Sequence, residues 1–181
     1  RKIAKKHRYA PRKRRFFKMI EYEEITTIKQ CKDLKELATR ISLEHFAPIT
    51  GMGQVYYMMD KFLSPEVVMR EIAENYEFAF VLYDGKRAGY YSVAFEGDAL
   101  FLSKLYIDKS FRGLGLGHAM FERIKEKAKK AGCKYIYLTV NKHNSSSVAS
   151  YKKWNFYTSD CAETDIGGGY IMDDYIMRYD L

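Results

Sequence analysis

Residues 105–118 read LYIDKSFRGLGLGH. The apolar start is typical of a β-strand and the glycine-rich middle of a tight turn, while the apolar positions that follow recur with the period of an amphipathic helix. Glycines let the backbone approach a ligand closely, and the first helical turn presents unpaired N–H groups at the positive end of the helix dipole. The stretch therefore predicts an anion-binding turn between a strand and a helix, suited to a pyrophosphate.

Two familiar phosphate-binding loops do not match this turn. The dinucleotide pattern G-x-G-x-x-G fails because the glycines stand at 113, 115 and 117, which places His118 where the third glycine belongs. The strand after the helix also lacks a terminal acid, since it runs into Val140-Asn141-Lys142. The Walker pattern fails because no Gly-Lys-Ser/Thr follows. Taken alone, the turn leaves function open, because a tight turn before an ordinary helix looks the same.

The turn resembles the acyl-CoA pyrophosphate motif of the GNAT N-acetyltransferase superfamily, R/Q-x-x-G-x-G/A, with Arg112, Gly115 and Gly117 at its fixed positions. Just upstream, residues 105–107 are similar to the family strand that holds the pantetheine arm of CoA. These matches lie at the spacing that the superfamily shows.

A second stretch, NSSSVASYKKWNF at 144–156, resembles the family pattern N-x-x-A-x-x-x-Y-x-x-x-G-F. It departs from the pattern at Ser147, which replaces a small Ala, and at Asn155, which replaces Gly. Because Asn tolerates a left-handed backbone better than most residues, we expect the turn at Asn155 to survive.

The resemblance implies a fold, an activity and a set of site residues. It implies an N-acetyltransferase that transfers the acetyl group of acetyl-CoA to a primary amine by direct attack; the alternative is an acyl-CoA-binding sensor or partner-binding module without turnover. The residues implied for acetyl-CoA are Leu105, Tyr106, Ile107, Arg112, Gly113, Leu114, Gly115, Leu116, Gly117, His118, Asn144 and Ser147.

Within that set the family implies distinct roles. The amides of residues 113–118 would hold the pyrophosphate, the main chain of Leu105 and Ile107 would pair with pantetheine, and the N–H of Tyr106 would polarise the thioester carbonyl. Tyr151 is the implied general acid, although its spacing also suits a packed aromatic. Asn144 could equally be a helix N-cap.

The catalytic base and the acceptor are less defined. The centre of the fourth strand, residues 101–104, holds no carboxylate, so the alternatives are Glu96, Asp98, His45 and His118. The family implies that the acceptor lies against residues 49–63 and 162–172. A cationic amine, such as a polyamine, a lysine or an N-terminal amine, would suit the aromatic and acidic residues there and nearby: Tyr56, Tyr57, Asp60, Asp165, Asp173 and Asp174.

The pattern of periodicities predicts a mixed α/β fold. Strands are expected at 22–29, 77–85, 86–97, 99–108, 134–140, 156–162 and 170–179, with an Asp-Gly hairpin turn after the second. Helices are expected at 31–46, 55–63, 64–75, 144–154, and from the glycine-rich turn to Gly132. The expected architecture is one GNAT-like domain over 19–181, with a central, mostly antiparallel sheet whose middle strands splay apart, flanked by helices.

Charge is concentrated at the N-terminus. Of the 31 Lys and Arg residues, ten lie within residues 1–18, which hold no acid. The rest of the chain therefore contains 21 basic and 23 acidic side chains and has a small negative net charge. We expect residues 1–18 to be a disordered or non-native tail, with Met19 as the natural start, and we expect nucleic-acid binding only through this tail.

The remaining composition argues against several classes. No apolar run is long enough to cross a bilayer, and three widely spaced cysteines without a CxxC pair predict reduced thiols and no metal site. A cytoplasmic protein that does not bind membranes is expected. A homodimer stays open, because family members often dimerise.

Overall fold

The computed structural model describes residues 19–181, so the prediction for the basic tail at 1–18 lies outside the described residues. The elements are β1 (Ile20–Glu24), α1 (Ile28–Thr50), α2 (Met52–Leu63), α3 (Pro65–Ala73), β2 (Tyr76–Tyr83), β3 (Lys86–Glu96), β4 (Ala99–Ile107), α4 (Leu116–Lys130), β5 (Tyr135–Asn141), α5 (Ser145–Lys153), β6 (Tyr157–Gly167) and β7 (Tyr170–Asp180).

The strands form one sheet in the order β1-β2-β3-β4-β5-β7-β6. Every pair of neighbours is antiparallel except β4 and β5, which run parallel. The predicted hairpin turn is confirmed, since Asp84 and Gly85 both have positive φ, 51° and 73°, which is the left-handed conformation that this turn requires.

The parallel pair in the middle of the sheet opens after three residues. Only residues 99–101 of β4 pair with residues 135–137 of β5. The register between β3 and β4 shifts at Ser92, so that Ser103 is the extra residue of a β-bulge. A bulge bends its strand, and β4 therefore separates from β5 beyond Phe101. The predicted splay of the middle strands is confirmed.

Helices cover both faces of this sheet. On one face α4 buries its predicted apolar side against β2–β5, with Met120 and Ile124 fully enclosed. On the other face α1, α2 and α3 pack over Phe78, Phe80 and Tyr90. The mixed α/β class is thus confirmed, with seven strands and five α-helices among residues 19–181.

Two predicted element boundaries are wrong. The first strand ends at Glu24 and not at Lys29, because Thr27 caps α1 in a capping box with Gln30. The β-branched residues that suggested a strand there belong to the cap and the first helical turn. The last turn is also shorter than expected, since β6 continues to Gly167 and β7 begins at Tyr170.

Candidate active site

The glycine-rich turn forms a cradle of main-chain donors at the start of α4. Gly113 and Gly115 have φ of 77° and 79°, a left-handed conformation that side chains rarely adopt. Gly115 is the N-cap and supplies no side-chain bond, and the first intrahelical bond runs from the Ala119 N–H to the Gly115 carbonyl at 3.1 Å. The amides of residues 116–118 precede that ladder, so they point out of the helix end and are available to an anion.

Arg112 adds positive charge beside this cradle. Its Nε donates to the carbonyl of Ile107 at 3.2 Å, and its Nη1 lies 3.3 Å from Oε1 of Glu44 on α1. The ammonium of Lys109 is 3.8 Å from the same carboxylate. Two cations therefore share one acid here, which leaves net positive charge next to the outward-facing amides.

Gly117 is required for a different reason, namely the close packing of α4 on α5. A Cβ at this position would lie 3.3 Å from the ring of Trp154, which itself stacks on Phe121 with ring centroids 5.4 Å apart. Gly117 thus lets α5, which carries the second motif, pack closely against α4, which begins at the glycine-rich turn.

The main chain of β4 presents alternate residues to the gap. The N–H of Asp108 donates to the carbonyl of Ala88 on β3 at 2.9 Å, and Tyr106 pairs with Tyr90 in the same ladder. Because N–H and C=O groups alternate sides along a strand, the main chain of Tyr106 faces β3, and that of Leu105 and Ile107 faces the gap. The Tyr106 N–H thus points to β3 and not to the gap, while the pairing of Leu105 and Ile107 with pantetheine stays a prediction.

Two cavities meet at this gap. One, of about 540 Å³, runs along the cradle from Arg112 to Trp154, and we name it the donor cavity after the role predicted for its residues. The other, of about 400 Å³, lies between α1, α2 and the β6–β7 hairpin, and we name it the acceptor cavity on the same basis. Four residues line both cavities: Leu105, Tyr106, Ser147 and Tyr151.

Tyr151 lies at this junction. Its ring packs on Trp154 and Phe156, with centroids 5.7 and 5.6 Å away, so the packing role is real. Burial, with a smaller contribution from Tyr106, raises the pKa of Tyr151 well above its usual value, and the phenol is protonated at neutral pH. The side chain thus lines both cavities with its phenol protonated.

Asn144 is the N-cap of α5, and it also contacts α1. Its Oδ1 accepts from the Ser147 N–H at 3.4 Å and lies 3.1 Å from Nε2 of His45. The N-cap prediction is confirmed. Because Asn144 also lines the acceptor cavity, its contact with His45 holds α1 against the junction.

Sequence reasoning did not single out Asp174 as a candidate base. This side chain lies on β7 in the wall of the acceptor cavity and is only 6% exposed. Burial, followed by the neighbouring charge of Asp173, raises the pKa of Asp174 to about 6, while Lys142 opposes the shift. Its charge in turn adds to the burial that raises the pKa of Tyr106 to about 12. A signal was present, because two successive acids in a strand place one on each face.

None of the four candidate bases named from the sequence lines the acceptor cavity. Glu96 accepts from Tyr137, and Asp98 pairs with Lys134 at the far end of β4. His118 is exposed on α4, 3.9 Å from Glu122. His45 lines the donor cavity, where Asn144 holds its ring.

The residues expected near the acceptor are only partly at the cavity. Asp60 pairs with Lys35 on the protein surface, and Tyr56 is exposed. Tyr57 donates to the carbonyl of Ile166 at 2.7 Å and so fastens α2 to β6. Of the six side chains expected there, Asp174 is the one that lines the acceptor cavity.

Within residues 19–181, no three His, Cys, Asp or Glu side chains come together as a metal site would require. No described helix has the length and apolar character needed to cross a membrane.

Comparisons with known proteins agree with this geometry. The model of the Acetyltransferase (GNAT) family matches residues 46–156. A relative from Lactobacillus delbrueckii subsp. lactis, named as an uncharacterized N-acetyltransferase in the pepI 3' region, is 31% identical over 141 residues, which are 71% of this chain and 78% of the relative.

Solved structures show the same fold. The PaiA N-acetyltransferase of Thermoplasma acidophilum, in complex with coenzyme A, superposes with a TM-score of 0.77 at 21% identity, over 90% of this chain and 99% of that one. The ribosomal-protein-S18-alanine N-acetyltransferase of Escherichia coli gives a TM-score of 0.66 at 18% identity, over 90% and 94%.

A donor cradle joined to an acceptor cavity through a gap in the sheet is the arrangement of a group-transfer enzyme. With the family match over most of its length, the chain belongs to the GNAT acetyltransferase family and is an acyl-CoA-dependent N-acyltransferase.

Proposed function

We propose that this enzyme transfers the acetyl group of acetyl-CoA to a primary amine by direct attack. The observation that carries the proposal is the junction where Leu105, Tyr106, Ser147 and Tyr151 line both cavities. A thioester bound from one side and an amine bound from the other would meet there. The coenzyme A bound to the Thermoplasma relative supports the choice of donor.

The chain offers suitable partners along the whole donor. The amides of residues 113–118, with Arg112, would hold the pyrophosphate, and the main chain of Leu105 and Ile107 would pair with the pantetheine amides. When bound, acetyl-CoA supplies an activated acyl carbonyl. An N–H of β4 that faces the gap, on Leu105 or Ile107, would donate to the oxygen as negative charge develops on it.

Asp174 would take the proton that the attacking amine must lose. An aliphatic ammonium has a pKa of about 10.4 in water, but a buried site lowers that value and raises that of a carboxyl. The pKa of about 6 at Asp174 follows this rule and still leaves the carboxylate ionised at neutral pH. The ammonium first loses one proton to water, which frees the lone pair that attacks the carbonyl. As the C–N bond forms, the nitrogen becomes acidic and its second proton passes to Asp174.

Tyr151 would act on the leaving group. When the C–S bond breaks, the electron pair stays on sulfur, and the protonated phenol of Tyr151 donates to that thiolate. Acid and base would thus come from different elements, with Tyr151 on α5 and Asp174 on β7. The products are the N-acetylated amine and free CoA.

Calorimetry with acetyl-CoA and CoA, followed by a free-thiol assay with a panel of amines, tests this function. We expect saturable binding of both nucleotides and thiol release that depends on the amine. Binding without thiol release for every amine would favour an acyl-CoA sensor. Absence of binding would contradict the proposal altogether.

A further inference from the structure

The acceptor cavity contains a pair of opposite charges apart from the proposed catalytic groups. Lys104 on β4 and Glu71 on α3 both line the cavity, and their side chains are 13% and 20% exposed. Their Nζ and Oε2 atoms are 3.9 Å apart, which is too long for a hydrogen bond. The only hydrogen bond that the Lys104 ammonium makes among the described residues goes to Ser103 Oγ, at 3.1 Å.

This pair has unused hydrogen-bonding capacity. Oε2 of Glu71 is buried without a hydrogen-bond partner, and so is Oγ of Ser92, the residue that faces Lys104 across β3 and β4. Lys104 has three N–H donors and uses one. Buried polar atoms are rarely left unpaired, because each costs the full penalty of its lost hydration. The arrangement therefore calls for a ligand that both accepts and donates hydrogen bonds.

Charge limits what such a ligand can be. Lys104 and Glu71 together are neutral, and burial lowers the pKa of Lys104 while it raises that of Glu71. A carboxylate placed between them would repel Glu71, and an ammonium would repel Lys104. An uncharged group with one acceptor and one donor satisfies both partners and disturbs neither charge.

The pair shares the cavity with apolar side chains and with the junction. Lys104 and Tyr106 project to the same face of β4, and Tyr106 lines both cavities. Phe46, Met58 and Met172 are among the apolar residues of the lining. An acceptor thus needs an apolar link between its amine and its polar end.

We propose that the acceptor is a primary amine whose far end is an uncharged amide, held with its C=O on Lys104 and its N–H on Glu71. The inference rests on the proposed function, because it names the substrate class of the same cavity. A primary carboxamide and a peptide bond offer the same donor and acceptor.

A panel of amines with chains of equal length tests the class. It holds an ω-amino carboxamide, the same compound as its N-methylamide to represent a peptide bond, the ω-amino carboxylate, the diamine and the alkylamine. We expect kcat/KM for the better of the two amides to exceed that of the other three compounds by about tenfold or more, the usual effect of one buried hydrogen-bonded group.

Two variants should change the preference in opposite directions. Lys104→Met leaves the acid of Glu71 and should favour the diamine, while Glu71→Gln leaves the cation and should favour the carboxylate, each by about tenfold. The matched control is the ion pair of Lys127 with Glu77, 2.6 Å apart and away from both cavities. Lys127→Met and Glu77→Gln should keep the wild-type order.

The outcomes distinguish failure of this inference from failure of the proposed function. If no amine releases thiol from the wild-type enzyme, the proposed function fails. If amines react but no amide is preferred, or if the order is the same in both cavity variants, the amide site is refuted and the transferase stands. CoA affinity reports whether each variant is folded, and the wild-type order tests the amide class without any variant.

Discussion

At the scale of single residues, the proposed chemistry depends on two ionisable groups whose surroundings shift their pKa in ways that suit opposite tasks. Burial keeps Tyr151 protonated, so it can donate, and it brings Asp174 to a pKa of about 6, so it can accept near neutral pH. Both side chains line the acceptor cavity, and only Tyr151 reaches the donor cavity as well.

Replacing Tyr151 by Phe should lower kcat by about 100-fold or more and leave CoA affinity within a few-fold of wild type, because only the proton donor is lost. Steady-state kinetics and calorimetry measure the two effects. Tyr157→Phe is the matched control, since this half-exposed tyrosine on the edge strand bonds only Asp180 among the described residues. Equal kcat in Tyr151→Phe and wild type would exclude Tyr151 as the acid.

The pH dependence of kcat/KM should report Asp174. As the pH rises through about 6, the carboxyl loses its proton and becomes a competent base, so activity should fall about tenfold per unit below that value. Asp174→Asn should remove most activity and this limb of the profile. Asp173→Asn should keep most activity, because Asp173 does not line the acceptor cavity, but it should move this limb to lower pH, because the charge of Asp173 helps to raise the pKa of Asp174.

Asp174→Asn should also stabilise the fold near neutral pH. A carboxyl whose pKa is raised on folding contributes stability below about pH 4, and that contribution is lost as the pH rises through about 6. At about pH 7.5, which is above that pKa, we expect the free energy of unfolding of the variant to exceed that of wild type by about 1–2 kcal/mol. This value allows for screening by water in the cavity. Denaturant titration at both pH extremes measures the gain, which should be absent at about pH 4.

At the scale of elements, the start of α4 is the proposed site of donor binding. The helix offers its first amides because Gly115 caps it without a side chain and the turn takes a left-handed backbone. Where β4 and β5 separate, the bulge at Ser103 opens the path by which a donor at this helix end would reach an acceptor.

Gly115→Ala should weaken CoA binding by about tenfold or more, because a methyl group would occupy space in the cradle and resist φ of 79°. Gly97→Ala is a closely matched control: Gly97 also has positive φ and open space, but it lies in the β3–β4 turn. Both variants should lose about 1–2 kcal/mol of stability. Similar CoA affinities in the two variants would show that strain, and not the cradle, explains the effect.

At the scale of the whole molecule, we expect residues 19–181 to carry the complete activity. Both cavities are formed by residues within that range. The excess of positive charge lies outside it, in residues 1–18.

Removal of residues 1–18 should leave CoA affinity and kcat unchanged and abolish any binding to polyanions, because those ten cations supply the counterion release. Calorimetry with CoA and a heparin-binding assay at two salt concentrations check both parts. Loss of turnover in the shortened protein would show that the tail belongs to the catalytic unit. Polyanion binding that survived the deletion would place the site on the folded domain.

The two motifs predicted the local backbone around the donor cavity closely. Glycine positions, the cap at Asn144 and the left-handed Asn155, whose φ is 67°, all follow from short-range backbone requirements that a sequence records directly. The strand predicted at 22–29 was wrong beyond Glu24, because a capping box overrode the β propensity of Ile25–Ile28.

The sequence by itself predicted the class of fold, the glycine-rich turn and Tyr151 as the proposed general acid, since each prediction depends on residues close together in the chain. Only the tertiary structure brought Asp174 from β7, Lys104 from β4 and Glu71 from α3 into one cavity. Their pKa shifts arise from burial and from charges distant in sequence, and neither is encoded in a local pattern. The pairing of β4 with β3 likewise decided the direction of each main-chain group along β4, and it turned the main-chain N–H and C=O of Tyr106 toward β3.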